Sequence, residues 1–131
     1  MIVIDSSAVL AIAFKEPDWF AFDEIITGRE RCIISAVNAH EAATVLRARH
    51  GADAARLFWD MLQDNAIEII PFDELQARAA SEAFNRYGKG IDPKARLNIC
   101  DCAAYAHAKT LNAPLLFKGD DSAQTDVTPC L

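Results

Sequence analysis

No apolar run in this sequence approaches the length that spans a bilayer, which excludes a helical membrane protein. Internal repeats, low-complexity tracts and a Pro/Gly/Ser-rich linker are also missing, so residues 1–131 are expected to form one domain with one active site. Basic charge is scarce: 13 Lys and Arg face 19 Asp and Glu, for a formal net charge of −6. A protein that sheathes nucleic acid neutralises phosphates with surplus Lys and Arg, so that class is excluded, and any nucleic-acid contact must rest on a local basic patch. Cysteine is sparse as well. Cys100-Asp101-Cys102 is C-x-C, and no second pair stands at zinc-ligand spacing, so no zinc centre is expected. With no signal peptide before the apolar start at Met1, a reduced, cytoplasmic protein is expected, its thiols Cys32, Cys100, Cys102 and Cys130 mostly buried and unpaired.

What is present is a hydrophobic content of 52%, ample for a packed core. Met1 to Ile4 reads as a strand, followed by a turn at Asp5-Ser6-Ser7 and a helix over Ala8 to Phe14. A helix from Trp19 to Ile26 stops at Gly28, and Cys32 to Ile34 is a second buried strand. Ser35 is placed to cap a long helix to about Arg49, and a further helix fits Ala52 to Asp64. Ile67 to Ile70 reads as strand, Asp73 to Tyr87 as helix, residues 88–96 as loop, Asp101 to Leu111 as helix and Pro114 to Phe117 as strand. Short apolar strands alternating with helices predict an α/β fold, a central parallel sheet flanked by helices.

Ligands of open parallel sheets gather beyond the carboxyl ends of the strands. Asp5 follows the first strand, Asp120 and Asp121 follow the last, Glu41 sits in the helix after the second, and Asp101 opens a later helix. Each acid alone reads equally well as a cap, a turn residue or a solvated charge. Together they point to a compensating cation, because gathered carboxylates repel one another and resist desolvation. Hard oxygen donors without a His or Cys cluster suit Mg²⁺ or Mn²⁺, and such an ion activates water for attack on a phosphodiester. One ion or two are both compatible with this donor set.

The same segments carry a resemblance. Ile2-Val3-Ile4-Asp5-Ser6-Ser7-Ala8-Val9-Leu10 resembles the opening of PIN-domain proteins, and Ile34-Ser35-Ala36 through Glu41-Ala42 is similar to their second acidic segment. Arg96 to Ala106, with Asp101 inside it, and Pro114 to Asp121 resemble the third and fourth in the form found in VapC toxins. The resemblance covers the whole chain. It implies a PIN-like fold and a Mg²⁺-dependent endoribonuclease toxin acting on RNA, restrained by a VapB-like antitoxin protein and often a homodimer. Carried over by position, Asp5, Glu41 and Asp101 are the metal-binding acids, and Asp120 or Asp121 is the fourth catalytic acid. Relatives usually continue Gly-Asp-Asp with Phe, where this chain has Ser122. Ser6 or Ser7 would support Asp5, or else cap the first helix.

Arg86, Lys89, Lys94 and Arg96 surround the long loop with Asp92 as the opposing acid, making them candidates for RNA backbone contact as well as for a plain solvated loop. Arg47, Arg49, His50 and Arg56 form a second basic cluster, while His40 and His107 read as structural. Trp19, Phe20, Phe22, Phe58, Trp59, Met61 and Leu62 are expected mainly in the core, with part of this surface left for an antitoxin or a second subunit. Two other readings compete. An aspartyl phosphotransferase would need an acid two residues after Asp5, where Ser7 stands, and a non-catalytic acidic binding module would tolerate Asp5→Asn.

Overall fold

The computed structural model describes residues 1–131 as a four-stranded parallel sheet between two helical layers. In chain order the elements are β1 (Ile2–Ile4), α1 (Ser6–Ala13), α2 (Trp19–Ile26), β2 (Cys32–Ser35), α3 (Ala36–His50), α4 (Ala52–Asp64), β3 (Glu68–Ile70), α5 (Glu74–Tyr87), α6 (Ile99–Thr110) and β4 (Leu115–Leu116). A single 3₁₀ turn over Ser122–Gln124 follows β4, an element that the sequence pattern does not predict.

The strands lie in the order β3-β2-β1-β4, with Val3 opposite Ile33 on one side and opposite Leu115 on the other. Strand side chains alternate between faces, and the core divides accordingly. Ile2, Ile4, Cys32, Ile34 and Leu116 pack with Val9, Phe22, Leu46, Phe58 and Leu62, so α1 to α4 cover one face. Val3, Ile33 and Leu115 pack with Ala83, Tyr87, Leu97 and Tyr105, so α5 and α6 cover the other. This two-sided burial is why β1, β2 and β4 read as apolar runs, whereas the edge strand β3 carries the exposed Glu68 and Ile69.

The chain moves outward from β1 through β2 to β3, then returns to place β4 on the opposite side of β1. The direction of winding therefore changes between β1 and β4, and the crevice beyond their carboxyl ends is where a parallel sheet forms a binding site. Asp5 ends β1, and Gly119, with φ +108°, turns the chain after β4 into Asp120 and Asp121. All four cysteines are free; Cys32 and Cys102 are buried, whereas Cys100 and Cys130 are only half-buried, less than their residue type predicts. No helix is long and apolar enough to cross a membrane.

Candidate active site at the carboxyl edge of the sheet

Asp5 is 4% exposed and caps α1, its Oδ2 accepting from the backbone N–H of Ser7 at 3.0 Å. The Ser7 hydroxyl donates to the same oxygen and accepts from the Lys118 backbone N–H at 2.9 Å, which ties the end of β4 to the acid that ends β1. Ser6 donates instead to Glu41 Oε1 and thereby joins α1 to α3. The two serines thus have separate tasks: Ser7 orients Asp5, Ser6 orients Glu41, and the cap of α1 is Asp5 itself.

Asp101 is half-buried at the third position of α6, because that helix begins two residues earlier than the apolar pattern indicates. Asn98 is the cap: its side chain accepts from Asp101 N–H at 2.8 Å, and Asp101 Oδ2 accepts from Asn98 N–H at 3.0 Å. This reciprocal pair satisfies two end-of-helix donors and fixes the Asp101 carboxylate. Of the two later acids, Asp121 is the one whose charge acts on Asp101; both are exposed.

The electrostatics unite these segments. Burial pushes the Asp5 carboxyl up from 3.8 to about 7, opposed by the Ser7 hydroxyl and reinforced by the charges of Asp101 and Glu41. Asp101 is raised too, by burial first and then by Glu41 and Asp121, against the Asn98 N–H bond. Burial supplies most of this displacement and the neighbouring carboxylates add to it, a combination found often at functional sites.

Cys100, immediately before Asp101, faces the same cluster, and burial together with the charge of Glu41 lifts its thiol to about 12. The sequence pattern marks it as a buried thiol and gives no sign of this placement. Two other contributors are equally hidden in the sequence. Asn38 on α3 donates from Nδ2 to the Cys100 carbonyl at 3.0 Å, and Lys118 makes ion pairs with Glu16 at 2.5 Å and Asp18 at 2.8 Å. An asparagine inside an otherwise apolar helix stripe is the available signal for the first.

The donor set of Asp5, Glu41, Asp101 and Asp121 fits a hard divalent cation in chemistry and in charge. As the side chains stand, no three His, Cys, Asp or Glu groups converge closely enough to hold one. The local bonds engage one oxygen of each acid, Asp101 Oδ2 by Asn98, Asp5 Oδ2 by Ser7 and Glu41 Oε1 by Ser6, and leave the other oxygen of each for a ligand.

Lys89, Lys94 and Arg96 are exposed on the loop that leads into α6, whose base is closed by Lys89 N–H to Leu97 O and Leu97 N–H to Tyr87 O, each 2.9 Å. Arg86 differs: it lies 3.6 Å from Asp126, with its guanidinium 4.8 Å over the Tyr87 ring. Asp92 is therefore not the sole acid opposing this cluster, and Arg86 is partly committed to the fold.

Comparison with known proteins agrees with this topology. The sequence pattern of the PIN domain family matches residues 2–127. Ribonuclease VapC42 of Mycobacterium tuberculosis is 35% identical over 127 residues, 97% of each chain. Among solved structures, Mycobacterium tuberculosis VapC20, described as a toxin that cleaves the sarcin-ricin loop, superposes with TM-score 0.76 at 18% identity, over 98% of this chain and 100% of that one. A toxin-antitoxin complex from Klebsiella pneumoniae superposes with TM-score 0.70 at 14% identity, covering 96% of this chain and 93% of that one.

Proposed function

Since the chain belongs to the PIN domain family, we propose that it is a Mg²⁺-dependent endoribonuclease and the toxin of a VapBC toxin–antitoxin pair. The observation that carries the reading is the gathering of Asp5, Glu41 and Asp101 at the β1/β4 crevice, where burial first and neighbouring carboxylate charge second raise both Asp5 and Asp101. The names of the sequence relatives support ribonuclease activity and argue against the non-catalytic binding module.

Asp5, Glu41 and Asp101 would hold the ion, with Asp121 favoured over Asp120 as the fourth acid because its charge reaches Asp101. A divalent ion there supplies positive charge beside the phosphodiester and makes an attacking water more acidic; Mn²⁺ would serve as well. Ser7 and Ser6 keep Asp5 and Glu41 oriented. Lys89, Lys94 and Arg96 offer the local positive patch that an acidic protein needs to take up RNA, and phosphate contacts of this kind orient the strand across the carboxylates.

A VapB-like antitoxin is the proposed protein partner, supported by the likeness to the Klebsiella complex. An apolar cleft of about 320 Å³, lined in part by Val9, Ile12, Leu46, Phe58 and Met61, suits the apolar face of such a segment. A homodimer is proposed for the opposite layer, where Ile99 is 81% exposed beside Phe84. A cytoplasmic location is proposed as well, in keeping with four free cysteines.

The purified chain is expected to cut total cellular RNA into discrete fragments with Mg²⁺ or Mn²⁺, and neither with EDTA nor as the Asp5→Asn, Asp101→Asn double variant. Identical behaviour of wild type and variant would overturn the metal-nuclease reading.

A further inference from the structure

Asn38 is 0% exposed on α3, among Ala39, Ala42, Ala43 and Leu46, which are all buried apolar side chains. Its Nδ2 donates to the Cys100 carbonyl across 62 residues of sequence, while its Oδ1 is buried with no partner. A buried amide oxygen without a hydrogen bond is destabilising, and a leucine of similar size would pack there without that penalty. Stability alone therefore does not explain an amide at this position.

Its location does. Asn38 lies one turn before Glu41 on the same helix, and the carbonyl it grips belongs to the residue immediately before Asp101. The bond runs directly between the two elements that carry these carboxylates, close to the ends that face the crevice. The serine and Asn98 links lie elsewhere: Ser6 joins α1 to Glu41, Ser7 joins Asp5 to the end of β4, and Asn98 acts within α6, so across this gap the Asn38 bond is accompanied by the contact of the Cys100 thiol with Glu41.

We propose that Asn38 is a positioning residue that pins the Glu41 helix to the start of the Asp101 helix and so sets the separation of the two carboxylates available to a divalent cation. It touches neither the ion nor RNA, and its role rests on the metal-nuclease reading above. Separation matters because hard-cation ligands must reach one point from different elements, and a displacement of one helix by a fraction of an ångström removes a ligand.

The test compares wild type with Asn38→Leu, using Mn²⁺ titration calorimetry on the RNA-free chain, urea unfolding and steady-state cleavage of a defined RNA. The expected variant unfolds at the same or a higher urea concentration, binds Mn²⁺ about tenfold more weakly, and loses kcat with little change in KM for RNA. Asn38→Ser, whose shorter side chain does not reach Cys100, guards against a folding failure and is expected to weaken Mn²⁺ binding likewise. Wild-type Mn²⁺ affinity in either folded variant overturns the positioning role. A wild-type chain that neither binds Mn²⁺ nor cuts RNA overturns the metal-nuclease reading itself, and this proposal with it.

Discussion

Asp5 follows β1, caps α1 and feels the charge of two other acids, Asp101 and Glu41, and these tasks conflict. As a cap it stabilises the helix; as an ionised carboxyl at 4% exposure it is poorly solvated. Its folded value of about 7 lies above its ordinary 3.8. Stability from this group is therefore fully present below about pH 4 and is lost as pH rises through about 7. Asp5→Asn retains an oxygen to cap α1 and removes the charge. Without metal it is expected to raise unfolding free energy at pH 8 by roughly 2 to 4 kcal/mol, less at pH 5, while abolishing cleavage. Urea unfolding at the two pH values checks this, and an equal effect at both would contradict it. Asp5, Glu41 and Asp101 are identifiable in the sequence because Asp5 follows an apolar strand, Glu41 interrupts the apolar stripe of a helix and Asp101 stands at the start of another. Which hydroxyl serves which acid is not legible there, since Ser6 and Ser7 are adjacent and their directions depend on where α3 and β4 pack.

The helices are more legible than their ends. α4 begins and ends where its pattern predicts, and Ser35 caps α3 as expected, accepting from Val37 N–H at 3.2 Å. α6 instead begins at Ile99, because Asn98 and Asp101 form a reciprocal cap ahead of the point where the apolar pattern starts. Within α6, His107 is fully buried 6.3 Å from Phe72, with both ring nitrogens unpartnered. Burial holds its pKa below the ordinary 6.5, against a smaller opposing influence of Asp73. A depressed histidine leaves the unfolded chain binding more protons, so stability declines as pH falls below about 6.5. His107→Leu is expected to match or exceed wild-type stability at pH 7 and to lose less between about pH 6.5 and 5.5. Melting temperatures over that range test it; a variant with the wild-type slope refutes the assignment.

Across the whole molecule the sign of charge opposes the proposed substrate. With a net charge of −6, long-range attraction of RNA would be weak, and under the proposed function the exposed Lys89, Lys94 and Arg96 of the loop before α6 would supply local attraction. Replacing all three by Ala in a cleavage-dead Asp5→Asn background is expected to weaken RNA binding. It should also flatten the dependence of log affinity on log salt by about 0.7 for each phosphate that these side chains neutralise. Fluorescence anisotropy at salt concentrations from about 50 to about 200 mM measures this; an unchanged slope would remove the loop from the RNA path. Fold class is legible at this scale because apolar strands alternate with helices. Strand order is not, since nothing local in Leu115 and Leu116 states that they pair with β1 rather than β3.

That pairing has a consequence for the timing of synthesis. β4 is made after the other three strands yet sits beside the first, and its carboxyl end supplies the Lys118 N–H that Ser7 accepts beneath Asp5. A ribosome that has translated as far as α6 has already made Asp5, Glu41 and Asp101, but the growing chain still lacks the strand that closes the crevice. A chain made only as far as α6 thus holds these acids without the β4 contact through which Ser7 is fixed beneath Asp5.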